Sequence, residues 1–571
     1  MLGVKAIWRS YTHYEKRNIA FYIGGIMCYK FGIEFFNGSI ITLAADRFET
    51  EHAFTKLGAA KGLNQAAQCI GAILIAPLIK RWPTRTVLAF SIFAFALMTA
   101  LLLIIDAATD GEFKDPITKE TQYGTWPVDL IFLIWTLSGV CYGMVELIRR
   151  VIPVDIVGGK AHKLRPMDAT VVRIFNISIF ISRVTNVEYD STSSMVREPR
   201  RLTDRRSSQT IEIAGTGGAF ASSSAISRFG NNYSFFMTPV FFTFAGAIWL
   251  FISTLSFKRQ NAIDGELNQT GLSKVSQTNG RSEGYFKQVI RGATGFGESV
   301  WIGGKLLFTN RRFFWLLPSY SIALYCHRYL ESALGTAFAT RVLETSAWSQ
   351  IMVGGSNFGE LLGAVAVLLL SNIVTTPVPW LRFDALALNL VWLLPYFSRM
   401  AQPRDVKWAW AVAGCFFPIS MGWAAGDVSL AAYIQSALTE ANFVHPRVSA
   451  LGAVMAFLYS SYIIFYAVLS SVLGGVLDRD FQDNGTITRS LLTIGGIQFS
   501  VASVIILAST FVPVGSFAFN PKALGHIKNP DASHPHSPGM IELHSQVEDE
   551  VESVKGVGGS QGRHGARAGE P

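Results

Sequence analysis

Long runs of apolar residues alternate with short polar segments along most of the chain. A membrane-spanning helix needs about 20 consecutive, mainly apolar residues. Eleven runs reach this length, and one more, after residue 167, is interrupted near its start. The pattern predicts an all-α polytopic membrane protein with twelve transmembrane helices. The uninterrupted runs cover approximately 19–44, 56–79, 86–106, 127–148, 232–256, 312–338, 349–371, 380–398, 408–436, 448–476 and 490–514.

Composition agrees with this pattern and narrows the class of protein. Half of the 571 residues are hydrophobic and 16% are charged, a balance typical of membrane proteins rather than of soluble enzymes. The net charge of +9 is expected to mark cytoplasmic loops, where Lys and Arg concentrate. The chain has no P-loop pattern, and its five cysteines lack the spacing of a metal site. We therefore predict no enzymatic activity, cofactor, metal or nucleic-acid partner. The expected partners are a small-molecule substrate and the lipid bilayer.

Charged residues recur at corresponding places in two of the runs. A charge at the centre of a membrane helix costs on the order of 3 kcal/mol, yet Lys30 and Glu34 lie in the first run. They are one helical turn apart, so they can form an ion pair. The seventh run contains Glu331 in a similar setting. When Glu34 is aligned with Glu331, the other matched pairs are Lys30 with His327, Gly38 with Gly335 and Ser39 with Thr336.

A second pair of similar segments lies in the fourth and tenth predicted spans. Segments 139–147 and 422–430 share two Gly, a Val and a Leu at the same spacing. Small residues four apart also let helices pack closely, but two repeats in the same order predict two six-helix halves related by an axis along the membrane normal. The predicted domains are an N-terminal half (1–257), a cytoplasmic central loop (258–304), a C-terminal half (305–514) and a disordered cytoplasmic tail (515–571).

Charges in the loops predict the orientation. Lys and Arg concentrate before the first span and in the second and fourth loops, whereas the first and third loops are acidic. Both termini are therefore predicted to be cytoplasmic, in a multi-pass protein of the cell membrane. The basic loop 399–407 disagrees, because it is predicted to face outward. Asn232 and Asn484 begin Asn-x-Ser/Thr sequons in predicted outward loops, so both are candidate glycosylation sites.

The fifth predicted span is interrupted by segment 172–209. This segment holds seven arginines and four acidic residues, so it cannot cross a bilayer. Without it, residues 168–171 join 210–226 in a run of about 21 residues, the length of one span. Our hypothesis is that an unspliced intron has been translated here. The alternative is a genuine cytoplasmic insertion, with the fifth helix beginning near Thr210.

Ionisable and amide side chains within the runs are the candidates for proton coupling or substrate binding. A buried carboxyl group can load and release a proton, so Glu34 and Glu331 lead, followed by Asp427. Structural ion pairs with the neighbouring bases are the alternative for both glutamates. For the other candidates the alternative is a hydrogen bond between helices. These other candidates are Asn37, Gln68, Asn357 and Glu360.

The loop after the second span carries a resemblance to a known family. Residues 76–85 read Ala-Pro-Leu-Ile-Lys-Arg-Trp-Pro-Thr-Arg, where the major facilitator superfamily has Gly-x-x-x-Asp-Arg-x-Gly-Arg-Arg. Arg81 and Arg85 match that pattern, whereas Lys80 stands in place of its aspartate. The other departures are Ala76, Pro83 and Thr84. Over residues 11–514 the chain resembles a major facilitator transporter.

A charged cluster follows the fourth span. Glu146, Arg149 and Arg150 resemble the acid-and-base cluster that many members of the superfamily place at this cytoplasmic end. With Arg81 and Arg85 they are the candidate conformational gate. Side chains that extend from the helix end to the membrane surface are the alternative interpretation.

The resemblance also leads to a functional expectation. Segments 146–153 and 426–435 are similar to a fungal group of facilitator-type transporters of poorly defined substrate. The resemblance to the superfamily implies that the first, fourth, seventh and tenth spans line a central cavity between two rocking halves. We therefore expect a monomeric, proton-coupled exporter of a small organic molecule, with a secondary metabolite as one candidate. Proton-coupled uptake is one alternative, and a non-transporting, substrate-sensing receptor is the other.

Sequencing of the transcript tests the intron hypothesis. If codons 172–209 are intronic, the main transcript lacks them, and the spliced protein has one continuous fifth span. A main transcript that retains these codons supports the cytoplasmic insertion instead.

Overall fold

The protein is represented by a computed structural model that describes residues 12–48, 52–111, 123–157, 204–252, 284–370, 373–440, 450–513, 515–518 and 520–521. These residues all belong to one compact unit, Met1–Ala523. A second unit, Leu524–Pro571, lies outside the described residues, as does most of the proposed intron, 172–203. Within the described residues every regular element is a helix, which confirms the predicted all-α class.

Six helices form the first half. The first begins with a capping box, in which Thr12 Oγ1 accepts a hydrogen bond from Glu15 N and Glu15 Oε2 accepts one from Thr12 N. Gly230 separates the last two at a φ of 90°, a conformation that favours glycine. The helices are α1 (His13–Arg47), α2 (Ala53–Arg81), α3 (Thr84–Ala108), α4 (Leu130–Val157), α5 (Asp204–Phe229) and α6 (Asn231–Leu250).

A separate helix, α7 (Tyr285–Thr309), precedes the second half. The next, α8, covers residues 311–341 and includes two π-helical stretches, Leu317–Ile322 and Leu330–Leu334. Helix α10 covers residues 378–400 and contains a central 3-10 turn, Leu388–Trp392. The remaining helices are α9 (Ser349–Leu369), α11 (Val406–Glu440), α12 (Ala450–Asn484) and α13 (Thr488–Ser509).

Twelve of these helices correspond to the predicted spans. Seven, α1–α4 and α11–α13, are long and apolar enough to cross a membrane by length and composition. Helices α5, α6, α8, α9 and α10 complete a set of twelve among the described residues, with six before α7 and six after it. The layout agrees with the predicted two six-helix halves.

Helix α7 occupies part of the segment predicted as a loop, 258–304. Tyr285 Oη donates to Leu74 O of α2 at 3.0 Å. A Cβ added at Gly303 would lie 2.0 Å from Ala453 O, so α7 also packs tightly on α12. The sequence pattern missed this helix because it has no continuous apolar run. Its exposed apolar residues stand singly at helical intervals, at Phe286, Ile290, Trp301 and Phe308.

Glycines bring helix backbones together inside each half. A Cβ added at Gly139 of α4 would lie 2.4 Å from Asn64 O of α2. In the aligned segment of α11, a Cβ added at Gly422 would lie 2.8 Å from Asp384 Cα of α10. Gly139 of α4 thus packs against α2, the second span. Gly422 of α11 packs against α10, the ninth span, and not against the eighth span, which would be the equivalent of the second. The shared glycine spacing therefore reflects close helix packing and not equivalent contacts.

The two halves are joined at the end where α2 begins and α12 ends. Asp478 of α12 is 2% exposed. Its carboxylate accepts hydrogen bonds from Phe54 N at 3.0 Å and from Thr55 N and Thr55 Oγ1, both at 2.9 Å. A negative charge is favourable at a helix N-terminus, so an acid of the second half caps a helix of the first. The Arg341 guanidinium lies over the Phe54 ring at 5.5 Å and supports the same junction.

The first residues of the predicted disordered tail are held against the start of α10. Arg382 donates to Ala518 O at 2.9 Å and to Ser516 O. Asn520 Nδ2 donates to Ile373 O at 2.7 Å. The ordered part of the second half therefore extends past the predicted boundary at residue 514.

Asp478→Ala is expected to weaken the junction between the halves. The substitution leaves the first N–H groups of α2 buried without an acceptor, so the free energy of unfolding should fall by about 3 kcal/mol. Asp478→Asn retains one acceptor oxygen and should cost less. Thermal unfolding of the purified protein measures both. Asp483→Ala, at an exposed position of the same helix, is the control, and an equal loss in it would contradict the assigned role.

Candidate functional site

The first half contributes an ion pair from α1. Lys30 Nζ lies 3.3 Å from Glu34 Oε1. The Glu34 side chain is 5% exposed, whereas that of Lys30 is 22% exposed. Gly218 of α5 makes room for the acid, because a Cβ there would lie 3.0 Å from Glu34 Cβ. The glutamate is therefore packed between α1 and α5, and the lysine keeps more of its surface accessible.

The second half contributes a larger network from α8 and α9. Arg328 Nη1 donates to Glu331 Oε2 at 2.9 Å, and Arg328 Nη2 lies 3.9 Å from Glu360 Oε1. His327 Nε2 lies 2.7 Å from Glu360 Oε1 and 3.5 Å from Glu331 Oε1. Ser356 Oγ donates to Glu331 Oε1. Each carboxylate thus has several polar neighbours, which offsets the cost of removing it from water.

Arg328 is the most exposed member of this second set. The Arg328 side chain is 39% exposed, whereas those of Glu331 and Glu360 are 8% and 11% exposed. His327 is buried and stacks on Trp423 of α11, with a ring separation of 5.9 Å. The Arg328 side chain is therefore more accessible than those of its three partners.

The two sets interact across the interface between the halves. Glu34 interacts electrostatically with Glu331 and Arg328, and Lys61 of α2 interacts with the same three groups. Lys61 lines a small pocket with residues of α8 and α12, including Tyr466. With the histidine neutral, three acids and three bases carry no net charge together. We call this set the central network: Lys30, Glu34, Lys61, His327, Arg328, Glu331 and Glu360.

Asn357 of α9 lies against the ion pair of the first half. It is 5% exposed, and its Nδ2 has no hydrogen-bond partner in the part of the chain that the structure describes. A Cβ added at Gly215 of α5 would lie 3.4 Å from Asn357 Nδ2, 3.3 Å from Lys30 Cε and 3.6 Å from Glu34 Oε1. The absence of a side chain at Gly215 lets this donor approach the pair from the opposite half.

Three residues near the centre were not among the sequence candidates. Lys61 and Asp384 carry the same signal that identified Glu34, a charge inside an apolar run. Asp384 is 1% exposed, neither of its carboxyl oxygens has a partner among the described residues, and it interacts electrostatically with His327. Ser356 gives no such signal, because serine is common at contacts between membrane helices.

A π-helical stretch changes the register of the repeat in α8. Leu330–Leu334 contains Glu331 and ends just before Gly335. A π turn rotates the following residues around the helix axis relative to an α-helix. Glu34 and Glu331 both belong to the central network, whereas the aligned glycines that follow them, Gly38 and Gly335, have different neighbours. Gly38 packs against α5 and α9, whereas Gly335 packs against α9 and α11.

Three further candidates for proton coupling or substrate binding are not members of the central network: Gln68, Asn37 and Asp427. Gln68 Nε2 donates to Asn64 Oδ1 at 3.1 Å, and Asn64 Nδ2 donates to Trp135 O of α4 at 2.7 Å. The hydrogen bond of Gln68 therefore lies within α2, Asn64 makes the one to α4, and the role predicted for Gln68 stays a prediction. Asn37 on α1 and Asp427 on α11 are both half-buried, and their predicted roles stay predictions.

The gate candidates lie at the opposite end of α2 from Asp478. Arg85 Nη1 donates to Ile252 O, just beyond α6, at 3.3 Å. Arg81 is exposed and Glu146 is half-buried. The side chains of Arg149 and Arg150 lie outside the described residues. A gate formed by these five residues stays a prediction.

The structure contradicts one of the two glycosylation candidates. Asn232 is 5% exposed, and its Nδ2 donates to Asp106 Oδ2 at 2.7 Å. The other oxygen of Asp106 accepts from Gly124 N and Trp126 Nε1, both at 2.8 Å. A glycan on Asn232 would displace this buried hydrogen bond, so Asn232 is not an accessible acceptor in the folded protein. Asn484 is exposed at the end of α12.

Three residues of the central network have the spacing of metal ligands. Ligand atoms of His327, Glu331 and Glu360 lie within 4.8 Å of one another. The Arg328 guanidinium contacts both carboxylates and already supplies a positive charge there. We interpret the cluster as an ionic and hydrogen-bonded network, and the absence of a metal stays a prediction from the sequence.

Comparison with solved structures identifies the fold. No protein-family model and no curated protein sequence matches the chain. A mutant of the nucleoside transporter NupG has a TM-score of 0.52 and 13% identity, covering 86% of this chain and 99% of its own. A mutant of the peptide transporter POT in complex with sulfate has a TM-score of 0.51 and 12% identity, covering 86% of this chain and 93% of its own. The D-xylose-proton symporter has a TM-score of 0.51 and 11% identity, covering 90% of this chain and 99% of its own. The chain has the major facilitator fold that the sequence predicts.

Glycan analysis tests the contrast between the two sequons. When the protein is made in a eukaryotic secretory pathway, Asn484→Gln should abolish any glycosidase-sensitive mobility shift, because the exposed asparagine is the available acceptor. Asn232→Gln should leave the shift unchanged. Gel mobility with and without glycosidase provides the measurement. Loss of the shift in Asn232→Gln alone would contradict the assignment, and a shift that depends on Asn484 also places the end of α12 on the lumenal or outer side.

Proposed function

We propose that the protein is a proton-coupled secondary transporter that exports a small organic molecule across the cell membrane. The observation that carries this proposal is the central network, in which buried carboxylates from both halves are paired with bases at the interface between them. Ionisable groups at membrane depth are costly and mark proton or substrate pathways. Under the predicted orientation, the end joined by Asp478 is the outer end.

Glu331 is the proposed centre of proton coupling. As a carboxylate it accepts hydrogen bonds from Arg328 and Ser356. Protonation removes its negative charge and with it most of its attraction for the guanidinium. Arg328 is then released to interact with the opposite half. The protonation state of Glu331 thereby controls Arg328, which also interacts with Glu34 of the first half.

Glu34 has the corresponding role in the first half. Lys30 is its close partner at 3.3 Å, so protonation of Glu34 releases Lys30 as protonation of Glu331 releases Arg328. The two acids also repel one another across the interface. Loading one proton reduces this repulsion and favours the approach of the two halves.

Alternating access follows from the way the halves are joined. Rocking of two six-helix halves around a midplane site exposes that site to one side at a time. Opening at the Asp478 end requires the three hydrogen bonds from Phe54 and Thr55 to break together. Substrate and protons therefore have to lower the energy of a state in which this cap is lost.

Glu331→Gln is expected to abolish pH-gradient dependence in reconstituted vesicles. Glutamine retains the size and the hydrogen-bonding capacity of the side chain but cannot cycle a proton. Gradient-driven movement of a labelled solute should fall to its level without a gradient, while exchange of that solute at equal pH persists. Glu34→Gln should act in the same direction, and Asp483→Asn, at an exposed position, should have no effect.

The same assay separates the alternatives. Coupled transport that is unchanged in both glutamine variants would refute the proton role of these acids. Movement of solute with the proton flux identifies uptake rather than export. Ligand binding without any exchange identifies a sensing receptor of the same fold.

A further inference from the structure

We infer that the central network recognises a small organic acid, with its anionic group bound by Lys30, Arg328 and Asn357. This inference rests on the proposed transport function and specifies its substrate class. Each of the three side chains offers hydrogen-bond donors, and together they come from α1, α8 and α9. An anion at this place therefore contacts both halves of the protein.

The exposure of the charged groups is the first argument. In two of the three pairs the base is more exposed than the acid: the side-chain exposure is 22% against 5% for Lys30 and Glu34, and 39% against 8% for Arg328 and Glu331. A solute that enters the space between the halves thus meets ammonium and guanidinium groups before carboxylates. Guanidinium groups bind carboxylates in a bidentate geometry, with strong charge-assisted hydrogen bonds.

Asn357 is the second, independent argument. Its Nδ2 is a buried donor without a partner among the described residues. Leaving a buried donor without an acceptor is unfavourable, so its position calls for an acceptor that arrives from elsewhere. It lies against Gly215, next to Lys30. An oxygen of the bound acid satisfies Asn357 and Lys30 from the same place.

Charge balance links the bound acid to the proton. The three acids and three bases of the central network sum to zero with His327 neutral. Binding a monoanion alone would leave one uncompensated negative charge at membrane depth, which is costly. One proton on Glu331 or Glu34 restores neutrality. This balance favours acid and proton bound together, as in the uptake alternative, and the flux assay described above decides between uptake and export. Among the described residues, three other titratable groups face the network: Tyr462 and Tyr466 interact with Arg328, and Asp384 interacts with His327.

Ligand-dependent stabilisation of the purified full-length protein tests this inference. The probes are phenylacetate, hexanoate, succinate and citrate, each paired with its neutral amide. Acids should raise the thermal unfolding midpoint in a saturable way, and their amides should not. The inference is overturned if the acids stabilise the protein no more than their amides, whether both bind or neither binds.

Variants locate the binding site. The double substitution Arg328→Gln/Glu331→Gln removes the base together with its closest acid and leaves Glu360 its contact with His327. It should weaken acid binding about 10- to 100-fold, the equivalent of one charge-assisted hydrogen bond. Asn357→Ala should weaken it by up to about tenfold, the equivalent of a neutral hydrogen bond. Arg399→Gln, at the exposed end of α10, is the charge-matched control and should not change it. Unchanged affinity in both test variants overturns the inference.

The two proposals fail in different ways. If acids bind at Arg328 but the single glutamine variants keep pH-gradient dependence, the proton role fails and the substrate class stands. If these variants lose gradient dependence while acids and amides stabilise the protein equally, the transport function stands and the substrate class fails.

Discussion

The cost of placing charge inside a membrane governs the arrangement at the centre of this protein. Each acid of the central network has a base beside it: Lys30 next to Glu34, Arg328 next to Glu331, and His327 next to Glu360. Without those partners each carboxylate would cost several kcal/mol to bury. His327 and Glu360 belong to α8 and α9, so their contact also fixes which faces of these two helices meet.

How much the sequence can predict depends on whether an interaction is local. Spans follow from apolar runs, and the contact between Lys30 and Glu34 follows from their spacing of one helical turn. The contact between His327 and Glu360 joins residues 33 apart, and nothing in the spacing specifies which faces of α8 and α9 meet. Lys61 could have been identified by the same rule that identified Glu34, because it too is a charge inside an apolar run.

Short motifs were the least informative signals, for physical reasons. Two glycines four residues apart indicate that another helix backbone approaches closely, but they do not identify that helix. In α4 the neighbour is α2, and in α11 it is α10. An Asn-x-Ser sequon likewise describes three residues and not their burial. Asn232 is unavailable because of Asp106, which lies 126 residues away. The π stretch in α8 is equally hidden, since it alters register without altering the apolar pattern.

Helix α7 has a mechanical consequence for the halves that it connects. It is anchored to α2 by Tyr285 near one end and to α12 by Gly303 near the other. With 25 residues it is a rod of about 37 Å that does not lengthen. The length of α7 therefore limits how far Leu74 of α2 can move away from Ala453 of α12 while both contacts are kept. Any wider separation has to break the hydrogen bond between Tyr285 Oη and Leu74 O at one end of α7, or the packing of Gly303 on α12 at the other.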